Sequence, residues 1–223
     1  MTPSRFSAVL FDLDGTLLDT APDLGAAAND VLAQIGKAPL TDSVIRQTAS
    51  DGALALIKAG LTEAEQAQHD LMALRQQLLD YYERHLYVGT RPYAGIVELI
   101  SWLNLHAIPW GVVTNKPAFL TDPLLALVTE LPCCAVAVSA DTLPLRKPHP
   151  EPLWYACEQI GVAAKECLYV GDHIRDIEAG RNAGMTTAIA AWGYIAENEC
   201  LADWQADMEM ENPHHLLAWL SRK

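Results

Sequence analysis

Five short, continuously apolar runs constrain the fold of this 223-residue chain more than any other feature. They are Ala8-Val9-Leu10-Phe11, Trp110-Gly111-Val112-Val113-Thr114, Ala135-Val136-Ala137-Val138, Leu168-Tyr169-Val170-Gly171 and Thr187-Ala188-Ile189-Ala190-Ala191. Each is too short for a buried helix, and none alternates apolar with polar. Each therefore reads as a strand covered on both faces. Helical patterns lie between them. Ile96, Leu99, Ile100 and Leu103 share one face, as do Leu153, Ala156, Cys157 and Ile160. A third pattern, Asp176 to Ala183, stops at Gly184, a candidate left-handed helix end. Strand and helix alternating at this rhythm predict an α/β fold with a parallel sheet between helical layers.

The span from about Leu18 to Arg91 breaks the rhythm. It shows no convincing strand and three or more helical segments. Thr20-Ala21-Pro22-Asp23 reads as a capping-box-like start with proline near the first helical position. Leu24, Ala28, Val31 and Ile35 then line one face. Thr62-Glu63-Ala64-Glu65 reads as a second such start, followed by Leu71, Leu74, Leu78, Tyr82 and Leu86 at spacings of three or four. A helical block inserted after the first strand predicts a cap. The expected division is a core domain of residues 1–17 and 92–223 and an all-helical cap domain of residues 18–91.

Composition narrows the function classes. Acids outnumber bases 28 to 15, a formal charge of −13. Nucleic-acid binding and polybasic membrane-surface binding draw their affinity from Lys and Arg, so neither is expected. No apolar run approaches the ~18 residues of a membrane span. Met1-Thr2-Pro3-Ser4-Arg5-Phe6 shows no leader-like apolar region or cleavage site, so no secretory leader is expected. Cys133, Cys134, Cys157, Cys167 and Cys200 show no zinc spacing and no CxxC pair. They read as reduced thiols of a cytoplasmic protein, and a redox role for Cys133-Cys134 is disfavoured. His214 and His215 read as surface residues. Residues 197–211 carry six acids and no base and read as a solvated loop.

Chemistry gathers at the C-terminal ends of the strands, where ligands bind in open α/β sheets. Phe11-Asp12-Leu13-Asp14-Gly15-Thr16 sets two carboxylates directly after a buried strand. Acids there are costly unless something pairs with them, and a bound cation is the usual partner. Gly15 permits the tight turn that aims backbone N–H groups at an anion. The second strand ends in Thr114-Asn115, and the loop after the third carries Arg146-Lys147-Pro148. The fourth ends in Gly171-Asp172, with Asp176 one helical turn on. Singly, each has an ordinary reading as a turn, helix cap or loop charge. Jointly they place acid pair, hydroxyl, ammonium and acid pair along one sheet edge.

In this order, DxDGT, Thr-Asn, Lys-Pro and GDxxxD resemble the haloacid dehalogenase-like hydrolase superfamily, and the helical insert resembles its cap. Gly111 to Pro117 and Gly171 to Gly184 look like phosphoglycolate phosphatases and their close relatives. Trp192-Gly193-Tyr194-Ile195 and Ala202 to Asp207 are similar to the branch that dephosphorylates N-acetylmuramic acid 6-phosphate in peptidoglycan recycling. The resemblance implies a Rossmann-like core with a helical cap. It implies a phosphatase acting on a small-molecule phosphate monoester through an aspartyl-phosphate, as a monomer or homodimer. By the same resemblance, Asp12 is the nucleophile and Asp14 the acid and base. Thr114 and Lys147 hold the transferring phosphoryl group, and Asn115 adds a donor. Asp12, the Asp14 backbone carbonyl and Asp172 bind a cation, Asp176 helps to hold it through a water or from behind the direct ligands, and an all-oxygen set suits Mg2+.

Substrate choice is expected from the cap. Ser50-Asp51-Gly52 is the candidate specificity loop, although it also reads as a plain interhelical turn. Asp51 there would repel a substrate carboxylate and could hydrogen-bond sugar hydroxyls. The acid at Asp14 separates the chain from ion-pumping and dehalogenating relatives. Lys37 and Lys58, the lysines of the insert, sit in no phosphonatase-like motif. A phosphomutase of the β-phosphoglucomutase type and a non-catalytic phosphate-binding regulator remain as alternatives.

Overall fold

The computed structural model describes residues 5–222. Residues 1–4, which carry part of the expectation of no secretory leader, lie outside the described residues. The chain begins with β1 (Ala8–Phe11) and a two-residue strand, β2 (Leu18–Asp19). Five helices follow: α1 (Ala21–Gln34), α2 (Asp42–Thr48), α3 (Ala53–Ala59), α4 (Glu63–Gln66) and α5 (Leu71–Arg84). Then come β3 (Arg91–Pro92), α6 (Ile96–Leu105), β4 (Trp110–Val113), α7 (Ala118–Leu127), β5 (Cys134–Val138) and α8 (Glu151–Ile160). The chain closes through β6 (Cys167–Gly171), α9 (Ile174–Ala183), β7 (Thr186–Ala190), β8 (Met208–Met210) and α10 (Pro213–Leu220).

Six strands form one sheet in the order β5-β4-β1-β6-β7-β8, and every neighbouring pair is parallel. Alternate residues of β1 explain its unbroken apolar run. Val9 and Phe11 pack with Ile96, Leu99, Leu124, Leu216 and Leu220 on one face, under α6, α7 and α10. Ala8 and Leu10 pack with Leu153, Ala156 and Ala179 on the other, under α8 and α9. A third cluster lies within the helical block, where Leu24, Ala28 and Val31 of α1 meet Leu74, Leu78 and Tyr82 of α5. Leu120 and Tyr194, from the sheet side, complete that cluster. No described helix is long and apolar enough to cross a membrane.

Four expectations need correction. The acidic 197–211 stretch is not simply a solvated loop: it holds buried Trp204 and the sixth strand, β8. Asp207 accepts hydrogen bonds there from the Thr187 N–H at 2.8 Å and its hydroxyl at 3.0 Å, which anchors the stretch to β7. The borders of the insert carry an antiparallel ladder, Leu18 opposite Pro92 and Asp19 opposite Arg91, where no strand was expected. The edge strand β5 is not covered on both faces, since Ala135 and Ala137 are exposed. Lastly, Thr20 precedes α1 without a side-chain cap bond, whereas Thr62 and Glu65 do form a reciprocal capping box. Asp23 turns away from its own helix. It accepts from the backbone N–H groups of Val88, Gly89 and Thr90, and so ties α1 to the chain entering β3.

Candidate active site

The parallel sheet delivers its strand ends to one edge, and the site is built there. Asp12 follows β1 directly. Its N–H donates to Val170 of β6 at 2.9 Å, so the ladder still fixes its backbone. Its Oδ1 accepts from the Leu13 N–H at 2.7 Å and lies 2.9 Å from the Lys147 ammonium. Lys147 reaches in from the loop between β5 and α8. It lies 2.7 Å from Asp176 and donates to the Val113 carbonyl at 2.8 Å and the Tyr169 hydroxyl at 2.9 Å. Its side chain is wholly buried, so the charge is spent inside the site rather than on solvent.

Asp172 follows β6, and Asp176 lies in the first turn of α9. The Asp172 carboxylate accepts from the Thr16 hydroxyl at 2.7 Å, the Tyr194 N–H at 3.0 Å and the Ser50 hydroxyl at 3.1 Å. Asp176 also accepts from the His173 N–H at 3.1 Å, which caps α9. Close approach depends on glycine. A Cβ at Gly15, whose φ is +81°, would strike the Asp172 carboxylate, and one at Gly171 would strike Asp176. Asp12, Asp172 and Asp176 each offer an oxygen within 4.8 Å of the others, and all three are buried.

Three carboxylates against one buried ammonium leave an excess of negative charge. Burial alone would raise Asp12, but the Lys147 ammonium, helped by Arg175 and the Leu13 N–H, holds its carboxyl below the ordinary range. Burial, with the charges of Asp12 and Asp176 beside it, pushes Asp172 up to about 7. Burial also raises Asp176, against the pull of Lys147.

Asp14 faces a different set of partners. Its Oδ1 accepts from the Thr20 hydroxyl at 2.7 Å and lies 3.0 Å from the Lys116 ammonium. Lys116 is itself buried and sits 4.4 Å over the Tyr82 ring of α5, so it joins the sheet edge to the helical block. Burial opposes its charge, but Asp14 outweighs that and raises its pKa. Thr114 is buried, with its hydroxyl accepting from the Lys116 N–H at 3.2 Å. Asn115 donates to the Lys147 carbonyl at 2.9 Å, so it supports the lysine loop.

Ser50, Asp51 and Gly52 lie on a 3-10 turn, Ala49–Asp51, and at its end. Ser50 touches Asp172, the Arg175 guanidinium donates to the Ser50 carbonyl, and Asp51 lies 3.4 Å from His173. The turn therefore meets the acid cluster. Tyr194 supports the same junction: its hydroxyl donates to Asp19 and accepts from the Ala21 N–H, both at 2.7 Å. Sequence reasoning assigned no part to Lys116, Thr16, Tyr169, Arg175 or Tyr194. Lys116 stood in view beside Thr114-Asn115. Thr16, Arg175 and Tyr194 stood inside quoted motifs, but their partners Asp172 and Ser50, like the Lys147 partner of Tyr169, lie far away in sequence, so no local pattern showed the pairing.

The model of the haloacid dehalogenase-like hydrolase family matches residues 9–190. The chain belongs to this family. A phosphoglycolate phosphatase of Xylella fastidiosa is 43% identical over 208 residues, 93% of this chain and 90% of that one. An N-acetylmuramic acid 6-phosphate phosphatase of Pseudomonas aeruginosa is 40% identical over 222 residues, 100% of this chain and 98% of that one. Among solved structures, a predicted phosphoglycolate phosphatase from Haemophilus somnus superposes with a TM-score of 0.83 at 27% identity, covering 97% of this chain and 98% of that one. Family and relatives agree on the class: the protein is a phosphoric monoester hydrolase.

Proposed function

We propose that the enzyme is a magnesium-dependent phosphatase that hydrolyses a small phosphorylated metabolite through an aspartyl-phosphate on Asp12. One observation carries this reading: buried Asp12 is kept ionised by Lys147 at 2.9 Å, while a second acid follows two residues on, tethered separately by Lys116. One acid is thus set up to attack and another to move protons.

The carboxylate of Asp12 attacks phosphorus as the ester P–O bond breaks, and the leaving alkoxide takes a proton from Asp14. Asp14 then removes a proton from water, whose oxygen attacks phosphorus and releases Asp12 and phosphate. Lys147 and Thr114 stabilise the phosphoryl oxygens in both steps, and Asn115 holds the Lys147 loop. The acid cluster fits a hard divalent cation: its donors are all oxygens, and burial, together with the neighbouring carboxylates Asp12 and Asp176, raises Asp172. A magnesium ion held by Asp12, the Asp14 carbonyl, Asp172 and Asp176 would supply the charge neutralisation that lets two anions meet.

The helical block would act as the cap, with Ser50, Asp51 and Gly52 as its substrate-facing turn, and the reaction would run in the cytoplasm. The names of the relatives support two substrates, phosphoglycolate and N-acetylmuramic acid 6-phosphate. Initial rates on both and on simple hexose phosphates, with MgCl2 and with EDTA, test the reading. Released inorganic phosphate supports it, and an isomeric sugar phosphate would point to a mutase. Asp12→Asn should lower turnover roughly a thousandfold or more. Full activity in that variant would remove Asp12 as nucleophile.

A further inference from the structure

The site holds more than one cation, and all but Arg175, whose charge reaches Asp12 only from a distance, are in direct contact with an acid. Lys147 pairs with Asp12 and Asp176, Lys116 with Asp14, and Arg46 with Asp19. Arg175 lies between Asp172 and Asp176 in sequence, yet among the described residues no carboxylate comes within 4 Å of its guanidinium. Its Nε is buried and has no hydrogen-bond partner among the described residues. Its one side-chain hydrogen bond goes to a neutral acceptor, the Ser50 carbonyl. A buried guanidinium N–H left unpaired is costly, and such groups are kept where a ligand completes them.

We propose that Arg175 is a specificity-determining residue that receives the carboxylate of the substrate, so that the natural substrate is a phosphorylated carboxylic acid. This rests on the phosphatase reading above. Three features favour a carboxylate. The guanidinium is a planar fork that matches a two-oxygen anion. The phosphoryl group already has its own donors, Lys147 and Thr114, which come from the β4 side of the site. Arg175 instead joins the Ser50–Gly52 turn of the helical block, where the rest of the substrate would lie.

The repulsion expected from Asp51 is also reduced. Its side chain is more than half exposed and turned to His173 at 3.4 Å, and the carbonyl of its neighbour Ser50 holds the Arg175 fork in place. Both substrates considered above carry a carboxylate.

Two matched pairs of esters test the assignment with the full chain and MgCl2. Phosphoglycolate is set against ethyl phosphate, and N-acetylmuramic acid 6-phosphate against N-acetylglucosamine 6-phosphate. The readout is the ratio of kcat/KM within each pair, for wild type, Arg175→Met and Arg175→Lys. Wild type should prefer the carboxylated member of at least one pair. Arg175→Met should lower that ratio roughly 30-fold or more, and Arg175→Lys should recover part of it. A purely structural role would lower both members together and leave the ratio unchanged. The proposal is overturned if wild type hydrolyses the esters without preference, or if the ratio stays within about threefold in both variants. In either case the phosphatase reading survives. If wild type hydrolyses none of the four esters, this assignment falls, and the phosphatase reading falls with it only if the simple hexose phosphates are also left intact.

Discussion

Replacing Asp172 by asparagine should stabilise the metal-free protein while destroying its response to magnesium. The carboxyl of Asp172 is pushed from 3.8 to about 7 by burial and by Asp12 and Asp176. A raised carboxyl favours folding fully only below its unfolded value near 4, and that advantage is lost as pH rises to its folded value near 7. Three units at about 1.4 kcal/mol each give a cost of about 4 kcal/mol at pH 8, and under half of that at pH 5. Asparagine removes this cost. Its oxygen can still accept from Thr16, but its amide nitrogen cannot accept from the Tyr194 N–H, a loss of about 1 kcal/mol. The net gain at pH 8 is about 1–3 kcal/mol, or roughly 2–12 °C in Tm for a chain of this size. Thermal denaturation in EDTA at pH 5 and pH 8, repeated with MgCl2, measures it. Asp172→Asn should melt higher than wild type at pH 8, with a smaller gap at pH 5. Magnesium should raise Tm in wild type and not in the variant. A variant no more stable than wild type at pH 8 would refute the account of the acid cluster as a frustrated, cation-seeking site.

Asp23→Ala should cost about 3–5 kcal/mol, because it strips the shared acceptor from three backbone N–H groups and the Thr90 hydroxyl in a buried setting. A Tm within about 2 °C of wild type would show that the link between α1 and the chain entering β3 carries little of the stability. Lys116→Met keeps the length of the side chain and removes the charge that holds Asp14. Turnover should fall roughly tenfold to a hundredfold, with KM changed less. Steady-state kinetics that show turnover unaltered would mean that Asp14 needs no such tether.

Much of the sheet was legible because burial on both faces forces an unbroken apolar run. Val9 and Phe11 serve one core, Ala8 and Leu10 the other, and the sequence shows this as four apolar residues in a row. Where that condition fails, the signal fails. Met208-Glu209-Met210 lies in a sheet-edge strand with Glu209 exposed, inside an acidic stretch, so β8 was hidden. The Leu18–Asp19 and Arg91–Pro92 ladder is two residues long, too short for any periodicity. Capping signals split for a physical reason. Glu65 has only Thr62 and Lys37 to satisfy, whereas Asp23 has a whole turn of N–H groups within reach and takes them instead. At the site, the acids were readable because a carboxylate directly after a buried strand is too costly to keep without a cation or donors around it. The partners of those acids were less so. Lys116 reaches Asp14 across 102 residues and Tyr194 reaches Asp172 across 22, and no local pattern encodes either contact.

The charge balance bears on how such a site can bind at all. A chain with a formal charge of −13 repels an anionic phosphate ester at long range, so steering cannot supply the association. At short range the position changes. Each buried lysine at the edge is held against a carboxylate, Lys147 by Asp12 and Asp176 and Lys116 by Asp14. Neither is a free anion receptor, and a substrate must either compete with those acids or arrive with a cation that satisfies them. A magnesium ion on the three-carboxylate cluster would release part of the hold on Lys147 and turn it toward the phosphoryl group. Binding of metal and of substrate should therefore be mutually reinforcing, with each tighter in the presence of the other by the same factor. Arg175, with no carboxylate within 4 Å among the described residues, is the cation that need not be released from an acid. That makes it the one suited to distinguish substrates before the phosphoryl group is engaged.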